Sequence, residues 1–337
     1  MKALSRFTLS VIVVIISLAY SCGGNEGDGG DGHKTCVDLD GDGYGAYCAG
    51  GADCNDSIYS VHPGAPELGC DAVDNNCNGT IDEVVRVNFP DANLGVAVGT
   101  AVAKAPNAIL NTDFCNLTIL TATGIGISDL SGLEYASELT ELALFGNFIS
   151  DLASLSGLVK LTNLSLNLNQ ISDISALSDL SALASLTLSW NLIENISPIS
   201  ELNDISTLHL VDNQISDISA LSGLTNLTDL NLEKNQITDI SALSGLTNLI
   251  ALGIHNNQII DISTLSVLAN LSMLWLNGNQ IEDISVLIGL PWSGGADILL
   301  IDNNFLDNGD CSNINTLKAK VENLTYSPQQ SGALTCP

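Results

Sequence analysis

The sequence predicts an α/β-type repeat solenoid of short parallel strands with a mostly irregular opposite side, preceded by a small crosslinked acidic module. Two observations predict the solenoid. A 22-residue pattern runs through residues 139–292 without slipping register, marked by a column of asparagines at Asn147, Asn169, Asn191, Asn213, Asn235, Asn257 and Asn279. Each unit also keeps its apolar offsets, as at Leu139, Leu142, Leu144, Ile149, Leu152, Leu155 and Leu158. The third observation predicts the module: residues 33–83 hold five cysteines and many aspartates but few aliphatics.

A period in this range with L-x-x-L-x-L-x-x-N is the signature of leucine-rich repeats. One unit has no core of its own, because its apolar side chains all point one way; a neighbouring turn must cover them. In Leu164-Ser165-Leu166 the period of two sends both leucines inward and the serine outward, so each unit contributes one short strand. The asparagine ends that strand. A buried amide needs hydrogen-bond partners, and the free backbone groups of adjoining turns are the available ones.

The stretch N-Q-I-S-D-I-S-A-L-S-G-L-T-N-L at residues 213–227, nearly unchanged at 235–249, resembles the internalin type of bacterial leucine-rich repeat. Asp173, Asp217, Asp239, Asp261 and Asp283 also keep their column, with Asn195 substituting in repeat four. The resemblance covers roughly residues 87–337. It implies a curved, right-handed solenoid whose strands line a concave face used for recognition.

Taken in order, the chain begins with Lys2, Arg6 and an uncharged Val-, Ile- and Leu-rich run at residues 7–21, which reads as a secretory signal over residues 1–21. The run is short for a spanning helix, which needs about 20 residues. Leu18-Ala19-Tyr20-Ser21-Cys22 resembles the cleavage box of bacterial lipoproteins, with Ala19 where that box usually has leucine. Lipidation of Cys22 is expected, plain secretion being the alternative, and Gly23 after the cysteine leans by resemblance towards the outer membrane or cell surface. Residues 22–32 then form a Gly-rich tether with no apolar residue beyond the cysteine. The formal charge is −29, and loss of Lys2 and Arg6 makes it more negative. That balance argues against nucleic acid and anionic lipid as partners, leaving the lipid anchor as the membrane contact.

The module, residues 33–86, is too small to rest on apolar burial, so crosslinks and metal are expected to staple it. Asp38-Leu39-Asp40-Gly41-Asp42-Gly43-Tyr44 and Asp74-Asn75-Asn76-Cys77-Asn78-Gly79-Thr80 both read D-x-[DN]-x-[DN]-G-x. Alternate residues supply oxygens, the sixth-place glycine permits the sharp turn and the seventh residue offers a carbonyl, the first half of a calcium loop. The twelfth place falls on Ala49 and Val85 rather than glutamate, so these are not EF-hands. Asp53, Asp56, Asp82 and Glu83 are candidates for the missing ligands. Polar turns without metal are the alternative.

The whole segment resembles the metal-binding motif of bacterial surface proteins, one relative of which binds copper. Asn76 and Asn78 stand where that family usually has aspartate, and Ala72 where it has glycine. Past the signal the chain has one methionine, Met273, and oxidised cysteines leave mainly hard oxygen ligands, which suit Ca2+ in one or two sites.

Of nine cysteines, removing Cys22 leaves an even number in a protein bound for an oxidising space. Cys311 and Cys336 bracket residues 311–337, the C-terminal cap, and are expected to pair. Cys36, Cys48, Cys54, Cys70, Cys77 and Cys115 are left with a connectivity that sequence does not choose. If those six pair among themselves, parity ties Cys115 to the module.

Residues 87–116 are similar to the helical cap that precedes internalin repeats. Repeats follow over residues 117–310, the first degenerate, with Ile125 in the asparagine column. An insertion near residues 293–296 displaces the last strand, at Leu299 and Ile301, by three residues, and residues 312–324 look like a closing helix.

The outward strand positions depart from small polar residues at Phe145, Phe148, Trp190, Leu192, His209, Asp212, Glu233, His255, Met273 and Trp275. In a chain with 4% aromatics, two of three tryptophans falling there mark a candidate ligand face. His209 and His255 lie two repeats apart, so no nucleophile, base and oxyanion donor converge and no enzyme is expected. The reading is a monomeric, surface-displayed protein that recognises a protein or glycan. The alternative is a metal-binding or structural envelope lipoprotein whose repeats are a spacer.

Overall fold

The computed structural model describes residues 36–337 except 42, 59–60, 293–296, 331–333, 335 and 337. The expected signal segment, Cys22, the tether and Asp42 therefore lie outside the described residues.

Among the described residues ten three-residue strands form one parallel sheet in sequence order, from β1 (Ile119–Thr121) and β2 (Glu141–Ala143) to β8 (Met273–Trp275), β9 (Ile298–Leu300) and β10 (Asn323–Thr325). The register repeats the sequence period, pairing Leu142 with Leu164 and Leu208 with Leu230. The insertion shifts it at β8 and β9, where Leu274 pairs with Leu299. The central leucine of each strand from β1 to β9 is buried, and the core is one continuous cluster from Val87 to Leu334. This is the leucine-rich-repeat solenoid of short parallel strands that the pattern predicts.

The opposite side is built from short 3-10 turns such as Ser175–Leu177 and Ser219–Leu221. The aspartate column starts them: Asp173 Oδ1 accepts the Ser175 N–H at 2.8 Å, and Asp217 repeats this with Ser219. Those amides hold both carboxyls below their ordinary range. Asn195 makes the same bond to Ser197 at 2.9 Å, which is why an amide substitutes there.

The asparagine column is an internal ladder. Asn213 Nδ2 donates to Leu188 O and Leu210 O, both at 3.1 Å, while its Oδ1 accepts the Ile193 N–H at 3.0 Å. One side chain thus satisfies backbone groups of two successive turns.

At the start, helix α1 (Ala92–Ala101) seals the core with Leu94 and Val98. Asp91 caps it, accepting from Asn93 and Leu94, and also accepts the Ser128 N–H at 2.8 Å, joining cap to first repeat. At the far end the expected closing helix is shorter: α2 is Cys311–Lys318, and the chain then returns as β10. β10 pairs in parallel with β9 and satisfies the backbone edge that β9 would otherwise present.

The acidic module has little regular structure. Cys36–Cys48 and Cys54–Cys77 close it internally, Cys70–Cys115 ties it to the cap, and Cys311–Cys336 closes the other end. Asn111, 1% exposed, reinforces the tie: its Nδ2 donates to Glu67 O and Glu83 O at 2.9 Å, and its Oδ1 accepts the Val85 N–H.

Candidate functional site

Two places gather candidate ligand side chains: the acidic loops and the strand face. In the second loop Asp74 folds the backbone around its carboxylate, Oδ1 accepting from Asn78 at 3.1 Å and Oδ2 from Gly79 at 2.7 Å. Gly79 sits at φ 92°, a conformation costly for any residue with a Cβ. Asn78 Oδ1 accepts the Thr80 N–H, and Asp82 Oδ1 accepts the Ala72 N–H. Glu83 closes the ring, since the amides of both Asn76 and Asn78 donate to its Oε1. Those two amides hold its carboxyl below the ordinary range. Its Oε2 is shut off from solvent with no hydrogen bond. Behind it Glu67, 3% exposed, accepts from Asp82 and Asn76 backbone amides, and burial pushes its pKa up against their pull.

The first loop repeats the arrangement: Asp38 accepts from Gly41 at 2.7 Å and Gly43 at 3.0 Å, Gly43 being at φ 91°. Asp56 Oδ1 accepts the Leu39 N–H at 3.2 Å, bringing a further carboxylate to the loop, and Tyr44 stacks on His62 at 4.6 Å. Asp40 is half-buried within it. Asp53 lies instead against Cys54 and Cys77, within 4.8 Å of both sulfurs. Those sulfurs form a disulfide and offer no thiolate. The donors that remain are carboxylate and amide oxygens, including the unsatisfied Glu83 Oε2, and they fit a hard cation.

On the strand face the site residues divide. Phe145, Phe148, Trp190 and Leu192 are exposed, the two phenylalanines two repeats before Trp190 and Leu192. Further along, His209 Nε2 lies 3.3 Å from Asp229, His255 Nε2 3.0 Å from Glu233, and Lys234 Nζ 3.4 Å from Asp212. Burial holds the His255 imidazole below its ordinary 6.5, and the Glu233 carboxylate only partly offsets it. At neutral pH it is therefore a neutral donor to Glu233 rather than a cation. Met273 and Trp275 are half-buried on β8.

The residue before each ladder position is left-handed: Gly146, Leu168, Trp190, Asp212, Lys234, Asn256, Gly278 and Asn303 all have φ between 52° and 70°. Glycine, asparagine and aspartate visit this region readily, whereas other L-residues pay about 1–2 kcal/mol. Leu168 was not singled out by the sequence because its neighbours are unremarkable; reading the Trp190 column back 22 residues would have found it. Asp229, the partner of His209, was hidden for a different reason: it faces out one strand further on and only the parallel pairing brings the two together.

Residues 53–83 match the family described as "Putative metal-binding motif", named for a copper-binding protein, and residues 205–245 and 247–289 match "Leucine Rich repeats (2 copies)". Internalin C2 of Listeria monocytogenes is 37% identical over 59% of this chain and 89% of its own, with a TM-score of 0.58. The chain belongs to the internalin-type leucine-rich-repeat proteins. A second Listeria monocytogenes internalin, inlF, is 30% identical over 73% of this chain and 91% of its own, with a TM-score of 0.40. A leucine-rich-repeat protein of Leptospira interrogans shares the fold at 24% identity, covering 59% of this chain and 52% of its own, with a TM-score of 0.53. Among curated proteins no relative matches. The internalin-type repeats here carry the metal-motif module as a fixed extension of their N-terminal cap.

Proposed function

We propose that this internalin-type protein is displayed outside the cell and recognises a macromolecular ligand through its strand face, with the acidic module holding calcium. The observation that carries the first part is Trp190, large, exposed and left-handed on a face where glycine or asparagine would serve the fold. Exposed aromatics are the residues that most often anchor an interface. Phe145, Phe148, His209, Asp212, Glu233, His255 and Trp275 extend the face on either side. His209 and His255 lie on different strands, each against a separate carboxylate, so the two imidazoles do not share one cluster.

Calcium is favoured over copper by the oxygen donors of Asp38, Asp40, Asp74, Asn76, Asn78 and Glu83 and by the oxidised Cys54–Cys77 pair. The metal's role is to neutralise the converging carboxylates. Export as a lipoprotein anchored at Cys22 remains the reading of residues 1–22. The spacer alternative, an envelope protein whose metal module is the functional part, draws support from the module's rigid attachment to the cap.

The deciding experiment replaces Trp190 and Trp275 with alanine, singly and together, and compares melting temperature with affinity for a partner recovered by pull-down with the full chain. We expect a loss of about 2 kcal/mol or more in affinity with folding intact; unchanged affinity in the double variant moves the site off this face. For the module, free calcium about tenfold above the dissociation constant stabilises by about 1.4 kcal/mol per site. A chelator should lower its melting temperature accordingly, and melting indifferent to chelator rules out the metal.

A further inference from the structure

The left-handed column separates residues that suit the backbone from residues that do not. Leu168 has φ 56° and is 45% exposed; Trp190 has φ 57° and is 44% exposed. Backbone strain and solvent exposure both oppose these two choices, and neither side chain is needed to fill the core. The same column takes Asn256 and Asn303 at φ 56° and 55° without that strain. Leu192 stands two positions after Trp190, and Phe145 and Phe148 are exposed in the repeat before Leu168, so large exposed apolar side chains fall in three successive repeats rather than being scattered along the chain.

Past Trp190 the face changes sign. Asp212, Asp229, Glu233 and Asp302 line the following repeats with Lys234 as their one lysine, and the whole chain carries −29. An apolar patch continuous with an acidic one fits a partner of matching layout.

We propose that the strand face binds a cationic protein surface, apolar side chains covering Leu168 and Trp190 while adjoining lysines or arginines meet Asp229, Glu233 and Asp302. This rests on the recognition reading above and adds the partner's chemistry. Aliphatic Leu168 and Leu192 give no hydrogen bond to a hydroxylated sugar, which favours protein over glycan. A second copy is disfavoured because it would bring two strongly acidic faces together.

The test selects binders to the full chain from a random peptide display library, in parallel with a glycan array, and repeats both with L168N/W190N. Expected are peptides combining aromatic or aliphatic residues with lysine or arginine, binding that weakens with added salt, and about 30-fold loss in the double variant. Its melting temperature should hold or rise, because asparagine accepts the left-handed backbone. A fall in melting temperature would make the two side chains structural and overturn the proposal. Acidic or uncharged peptides, or glycans, that depend on Leu168 and Trp190 would overturn the cationic partner while leaving the face as the site. Binders indifferent both to this variant and to W190A/W275A would overturn the face reading too, and a library without any binder would remove the proposal.

Discussion

Between Leu139 and Leu290 the inward leucines and isoleucines are nearly all sealed from solvent, whereas residues 36–83 bury only Val61 and Ala65 among their described apolar side chains. The repeats obtain stability from area: identical turns cover one another, and each added unit extends the same core. The module obtains it from points, namely two internal disulfides, carboxylates wrapped by backbone amides and the Asn111 clamp. A core made of area tolerates variation at its surface, which leaves the strand face free for recognition. A fold made of points uses most of its polar side chains to stand up, so its ligand atoms and its structural atoms are the same.

The largest test of that contrast removes the covalent tie. In Cys70→Ser/Cys115→Ser the chain-entropy account predicts about 4 kcal/mol lost for a loop of this length. By calorimetry the module should melt in a separate, earlier transition while the repeats keep theirs. A single transition falling as a unit would show that the repeats lean on the module, and the comparison would break.

A smaller effect sharpens it within one residue type. Asn213→Ala strands the buried amide of Ile193 and leaves the carbonyls of Leu188 and Leu210 with one donor each, from Asn191 and Asn235, a cost of about 1–3 kcal/mol. Asn226→Ala removes one exposed bond to Asn203 O and should cost less than about 0.5 kcal/mol. Urea unfolding of both variants checks the ratio, and equal losses would mean that the ladder carries no special weight.

The smallest effect concerns pH. His255 is half-buried with its pKa depressed below 6.5 by desolvation, so below that value the unfolded chain binds more protons than the folded one. The stability it contributes is present above 6.5 and lost as pH falls through the depressed value. Relative to His255→Asn, the natural protein should therefore lose stability in mildly acid solution. Parallel curves for the two from pH 7 to pH 5 would mean that His255 titrates normally.

The sequence by itself determined the repeat period, the inward leucines, the asparagine ladder and the two Asp-rich loops. Each is a local rule: alternation sets which side chain points in, an αL turn needs a permissive residue, and a carboxylate at the first loop place meets amides three to five residues on. Tertiary structure alone decided the rest, because it joins residues distant in sequence. The link of Cys115 to Cys70 in particular, the choice of Glu83 at the second loop, the facing of His209 and Asp229 across two strands, and the conversion of residues 323–325 into a tenth strand all depend on which surfaces packing brings within reach. No periodicity encodes those meetings. They follow from where the solenoid ends and what must cover it.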